Sequence, residues 1–218
     1  MTLVEAAVET LDSALAAERA GADRIELCDN LNDGGTTPGA GLIAAVAERM
    51  RLPVFVLIRP RAGGFVYSDD EFDTMVRDIG LAVRMGIAGI VTGALAPDGR
   101  VVATRMRTLV KAAAGLPVTF HRAIDSAVNL PAALEETIEA GASRVLTSGG
   151  AATALEGADL IGTLVDQARA RITVVAGGGI REHNVCDVIS RTGVREVHTR
   201  FIDEAQMRGL VDVVRRDC

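Results

Sequence analysis

Lysine is nearly missing from this chain: Lys111 is the only one in 218 residues, tryptophan is absent, and aromatic side chains make up 3% of the sequence. Cysteine is scarce as well. Cys28, Cys186 and Cys218 stand far apart with no Cys-x-x-Cys pair, which argues against a disulfide framework or a structural zinc knuckle and makes a reducing cytoplasm the expected setting. No stretch stays apolar for ~18 residues, so a membrane span is not expected. Nor is a leader, since Met1 to Leu11 carries Glu5 and Glu9 where a signal would be basic and then apolar. Basic runs are also lacking. With 23 Lys+Arg against 29 Asp+Glu the net charge is −6, which speaks against a nucleic-acid partner.

What is present is a 49% hydrophobic, 24% charged chain, long enough to bury a full core as one domain over residues 1–218. Four segments share a layout of helix-like stretch, glycine, short turn and β run: around Gly21 (into Ile25-Glu-Leu), Gly86 (into Ile90-Val-Thr), Gly141 (into Val145-Leu-Thr) and Gly193 (into Val197-His-Thr). Each interval holds about two βα units. Between them fall runs of a second kind, Leu52-Pro53 into Ile58, Leu116-Pro117 into Phe120, and Arg171 to Val175. With an opening run from Leu3 to Ala7 the total is eight strands. Helical spacing fills the gaps, as in Phe72, Met75, Val76, Ile79 and Val83 behind the capping box Ser68-Asp-Asp-Glu71. The pattern predicts a single (β/α)8 TIM-like barrel. A doubly wound open sheet is the alternative, weakened by the lack of a Gly-x-Gly-x-x-Gly turn after the first strand.

Strand alternation then sorts the ionisable residues. Residues two apart share a face, so Glu26 lies with Cys28, Thr119 with His121, Glu196 with His198, and Arg59 and Arg61 continue the face of Phe55 and Leu57. Outward faces pack on helices and want apolar side chains. The polar faces therefore point inward, toward the C-terminal mouth where barrel enzymes keep their chemistry. This places Glu26, His121, Glu196 and His198 as candidate acid–base residues. Arg59 and Arg61 are candidate anion holders, with the bland reading that they neutralise Glu5 and Glu26. Arg24, Arg144 and Arg195 start their strands and belong to the opposite, structural face. The turns Thr147-Ser148-Gly149-Gly150 and Ala176-Gly177-Gly178-Gly179 leave backbone N–H groups for an anion, which adds Arg122, Ser148, Gly149, Gly178 and Gly179 to the anion-binding set. The loop Arg61 to Tyr67, with its paired glycines, is a candidate lid. Lys111 precedes strand five and is not at a strand end, so Schiff-base chemistry is excluded.

The stretches Ile58 to Phe72, Thr119-Phe-His-Arg-Ala-Ile-Asp125, Arg144-Val-Leu-Thr-Ser-Gly-Gly150 and Glu196-Val-His198 resemble the CutC family of copper homeostasis proteins over most of the chain. The resemblance implies a TIM-like barrel, a cytoplasmic homo-oligomer, and copper(I) binding, here through Cys28 with His121 or His198. Many members carry cysteines after the first-strand glutamate, whereas this chain reads Val4-Glu5-Ala6-Ala7-Val8 and keeps only Cys28 in Glu-Leu-Cys. Cu(I) prefers two or more soft donors. Two expectations stand side by side: a copper-homeostasis protein that binds a copper ion, and an enzyme of lyase, isomerase or hydrolase type acting on a small anionic or phosphorylated molecule.

Overall fold

Eight parallel strands pair in sequence order and β8 returns to β1, closing a barrel in the computed structural model, which describes residues 2–218. The strands are β1 (Leu3–Val8), β2 (Arg24–Leu27), β3 (Val54–Leu57), β4 (Gly89–Thr92), β5 (Val118–Phe120), β6 (Arg144–Thr147), β7 (Thr173–Gly177) and β8 (Glu196–Arg200). Helices α1 (Leu11–Arg19), α2 (Ala40–Arg49), α3 (Asp69–Arg84), α4 (Ala103–Ala112), α5 (Leu130–Glu139), α6 (Ala158–Ala168), α7 (Val185–Thr192) and α8 (Glu204–Arg216) alternate with them. This is the (β/α)8 barrel that the repeat predicts. Local signals agree with it: Ser68 accepts from Glu71 N while Glu71 reaches back to Ser68 N, the capping box that starts α3.

The core lies between the two layers. Ile25, Val56, Ile58 and Ile90 point out of the barrel and meet Met75, Ile79, Met106, Leu109 and Leu134 from the helices, all of them essentially inaccessible. Each such side chain contributes about 1.5–3 kcal/mol on burial.

Inside the barrel the lower half is a plug built on one aromatic ring. Phe55 fills the space over Gly89, where a β-carbon would come within 2.5 Å of the ring. Arg24 and Arg144 both stack on it, 4.8 and 5.0 Å from its centroid. This refines the strand-start reading of the arginines. They do sit toward the N-terminal face, but their side chains turn into the barrel, where Arg144 is 4% exposed; Arg195, by contrast, is exposed.

Candidate acid and base cluster at the barrel mouth

Closure of β8 on β1 sets the central contact, because the register aligns Glu5 with His198 and, on the other side of β1, Ala7 with Glu26. The small side chain at Ala7 leaves room for the glutamate beside it. His198 Nδ1 is 2.9 Å from Glu5 Oε1 and 3.4 Å from Glu26 Oε2. Glu5 Oε2 in turn accepts from Arg144 Nη2 at 2.8 Å and Arg24 Nη1 at 3.2 Å. Glu26 Oε1 accepts from the Cys28 thiol at 3.3 Å, while its Oε2 is buried with no hydrogen-bond partner.

The electrostatics follow from this wiring. Burial alone would raise the Glu5 carboxyl, but Arg144, the His198 hydrogen bond and Arg24 together hold it well below the usual carboxylate range. An ionised Glu5 accepts, so His198 carries its proton on Nδ1 and has Nε2 left for the mouth. Burial opposes charge on His198, yet Glu26 and Glu5 raise its pKa above the ordinary value. Burial likewise raises Glu26, only partly offset by His198. The Cys28 thiol is pushed well up, first by burial and then by Glu26, so it is held as the thiol and not the thiolate.

Glu196 requires a correction. Its alternation with His198 predicts a place at the mouth, but it is the first residue of β8 and lies at the lower end of the barrel, where its Oε2 accepts from Arg24 and Arg144 at 2.7 Å each. Two residues of strand rise, about 7 Å, separate the two levels. The bland reading of Arg59 and Arg61 is corrected as well: Glu5 is neutralised by Arg24 and Arg144. Arg59 donates to the carbonyls of Asp33, Gly35 and Gly63, and Arg61 pairs with Glu71 at 2.5 Å. Their guanidiniums thus bind the mouth loops to one another.

His121 sits at the end of β5, buried, with its ring occupying the space over Gly93. Its Nδ1 accepts from Ala123 N at 3.2 Å, so the proton is on Nε2, which is buried without a partner. Burial and then the charge of Arg59 push its pKa down to about 3, leaving a neutral imidazole.

The two glycine turns differ. After β6 the donors are already taken: Asp125 accepts from Thr147 Oγ1 at 2.5 Å, Ser148 N at 3.0 Å and Gly150 N at 3.2 Å, and Gly149 N donates to Thr147 Oγ1. The arrangement is a backbone nest holding the protein's own carboxylate. Arg122 donates to Asp125 and to Ser148 Oγ, which parks its guanidinium over Gly178. After β7, the N–H groups of Gly178 and Gly179 have no partner among the described residues. A separate rim cleft is lined by Ala7, Glu9, Leu31, Arg181 and Arg200.

Asp125 and the Glu5–His198 pairing were not foreseen. The first could have been read from Asp125 standing at the end of the His121 motif, and the second needs the barrel to close. A further correction concerns cysteine: Cys186 and Cys218 form a disulfide. Spacing alone hides it, since the two meet only because α8 packs along α7.

A soft Cu(I) ion does not fit this mouth well. Cys28 is its one thiol, and it is protonated and bonded to Glu26. Glu5, Glu26 and His198 present one ligand atom each within 4.8 Å of one another, a carboxylate and imidazole set that suits borderline divalent ions better.

Comparison with known proteins finds that a model of the CutC family matches residues 2–203. The human copper homeostasis protein cutC homolog is 47% identical over 196 residues, covering 90% of this chain and 72% of that protein. A CutC family protein of Xanthomonas axonopodis pv. citri is 47% identical over 208 residues, covering 95% and 84%. The crystal structure of CutC from Streptococcus agalactiae superposes with a TM-score of 0.88 at 33% identity, covering 93% of this chain and all of that one.

Proposed function

The chain belongs to the CutC family, and from that membership and the wiring of the mouth we propose that it serves copper homeostasis as a small-molecule enzyme, with His198 and Glu26 moving protons on an anionic substrate. One observation carries the reading: His198 is fixed by an ionised glutamate that is itself clamped by two arginines, beside a second, uncharged-leaning glutamate. A carboxylate that orients an imidazole and leaves Nε2 free is the arrangement general acid–base catalysis uses. Burial raises the Glu26 carboxyl and the neighbouring carboxylates raise His198, so both are held toward the proton-bearing form beside the ionised Glu5 and each can hand a proton to a substrate. A copper-storing protein has no need of that pairing. On this reading Arg122 and the free N–H groups of Gly178 and Gly179 offer a place for an anionic group of the substrate, at the end of β7.

A screen of small anionic metabolites by thermal shift is expected to find a compound that raises the melting temperature of the wild type and is consumed by it. His198→Asn should still be stabilised by the compound while turnover falls about 10²–10⁴-fold. Equal turnover by the variant would remove His198 from the mechanism.

A second reading keeps copper itself at the mouth, held by Cys28 with His198; His121, expected as the alternative partner, has its Nδ1 lone pair taken by Ala123 N. The closeness of Cys28 Sγ to the Glu5, Glu26 and His198 group favours it. Titration of Cu(I) against a competing chelator separates the two readings. We expect wild type and Cys28→Ala to be indistinguishable, and a wild type that outcompetes the variant would establish copper holding instead. Cytoplasmic location and homo-oligomerisation belong to the same proposal and are drawn from the family alone, since the Cys186–Cys218 disulfide removes the cysteine argument for a reducing setting; among the described residues no helix is long and apolar enough to cross a membrane.

A further inference from the structure

Arg59 carries a positive charge that nothing in its surroundings balances. It is 5% exposed, and its partners are the carbonyls of Asp33, Gly35 and Gly63 at 3.2, 2.8 and 2.6 Å; among the described residues no carboxylate pairs with it. Carbonyl oxygens satisfy N–H groups but do not cancel a charge. A buried cation left in this state is expensive unless an anion joins it.

Arg59 Nε, His121 Nε2 and Tyr67 Oη are buried without a well-formed hydrogen bond, Tyr67 Oη lying close enough to the guanidinium to interact with it while keeping its own proton to donate. Phe65 ties the set together: its ring is 5.0 Å from the Arg59 guanidinium and 5.0 Å from the His121 ring. Tyr67 lies beside Arg59. The three donors come from the end of β3, the end of β5 and the loop that follows β3, and each belongs to a side chain more than nine-tenths buried. A buried donor that stays unpaired is costly, because it has given up its bonds to water for nothing. Because His121 Nδ1 is already bound to Ala123 N, its free nitrogen can only donate.

The geometry points to a carboxylate subsite formed by Arg59 Nε, His121 Nε2 and Tyr67 Oη beneath the loop of residues 61–67. The three groups can all donate, and a carboxylate only accepts. One uncompensated positive charge matches one negative charge, whereas a phosphate dianion would bring an excess negative charge into a buried place. A metal ion is excluded by the same count, since the guanidinium and the His121 N–H have no lone pair to offer. Arg61 takes no part. It pairs with Glu71 and donates to the carbonyls of Gly64 and Val66, so it fastens the loop that covers the subsite. The ligand enters when that loop lifts and is shut in when Phe65 O again accepts from Leu95 N, now at 2.9 Å. This inference rests on the enzyme reading of the mouth and narrows its substrate to a small molecule that bears a carboxylate, apart from any anionic group held at the turn after β7.

Calorimetric titration of the full chain with glycolate, lactate and pyruvate, with inorganic phosphate as the contrasting probe, tests it. Saturable binding of at least one carboxylate and none of phosphate is expected. Tyr67→Phe removes one hydroxyl and keeps the ring, so it should fold and bind about tenfold more weakly; His121→Phe should weaken binding comparably. Binding of phosphate alone, binding of none of the three acids, or equal affinity in wild type and Tyr67→Phe would each overturn the subsite. Failure here is distinguishable from failure of the enzyme reading. A metabolite turned over through His198 but indifferent to Tyr67→Phe would keep the enzyme and remove the subsite, and a carboxylate bound in a Tyr67-dependent way but never turned over would keep the subsite and remove the enzyme.

Discussion

Replacing Arg144 with alanine is expected to destabilise the fold by about 3–5 kcal/mol, the range for breaking a buried ion pair from one side. Arg144 is the hub of the plug: it donates to Glu5, to Glu196 and to Thr119 Oγ1, and stacks on Phe55. Removing it leaves two carboxylates in the barrel with only Arg24 between them, and Arg24 is the more exposed arginine, at 13% against 5% for its side chain. The surviving acids must then take up protons or draw in water, and either change loosens the hold of Glu5 on His198. Urea unfolding of the two proteins at pH 7 gives the number. A loss below about 1 kcal/mol would mean the pair behaves as an exposed one does, and the plug would have to be regarded as solvated. Arg24→Ala should cost less than Arg144→Ala in the same experiment, because its site can be reached by water.

The barrel was legible because it is repetitive. Gly21, Gly86, Gly141 and Gly193 each end a helix-to-strand turn with positive φ, between 69° and 94°, and a short chain has few other ways to house eight such runs. The inward faces of β2 and β8 were legible for the same reason, since alternation is local and put Glu26 and His198 inside. Depth along the barrel axis was not. Glu196 and His198 share a face but sit on two levels, and only the pairing of β8 with β7 and β1 fixes which level is the mouth. Nor was occupancy. Arg59 reads as an anion holder by position, yet its three guanidinium hydrogen bonds all go to loop carbonyls whose approach depends on how residues 33–35 and 63 fold back. The turn after β6 reads as an empty nest, and only the three-dimensional return of Asp125 shows that it is filled. Contacts that depend on ring closure or loop return carry no periodic signal, and they decide most of the chemistry.

Acid is expected to separate the two mouth histidines. His121 has an ordinary value of 6.5 when unfolded and is held down to about 3 in the fold by burial and by Arg59. The unfolded chain therefore binds a proton at this residue that the folded protein refuses. The stability it confers is complete above pH 6.5 and is lost as pH falls from there toward 3. The slope approaches 1.36 kcal/mol per pH unit, so between pH 6 and pH 4 the wild type should lose about 2–3 kcal/mol that a His121→Phe variant does not lose. His198 works in the opposite sense. Its folded pKa is raised by Glu26 and Glu5, so its contribution is present below pH 6.5 and fades as pH rises through the folded value. Urea unfolding at pH 4, 6 and 8 for wild type, His121→Phe and His198→Asn reads both effects, with the shared response of the surface acids cancelling in each difference. Parallel profiles for wild type and His121→Phe would mean that His121 is protonated in the fold. It would then carry a positive charge beside Arg59, and the neutral donor on which the carboxylate subsite depends would be gone.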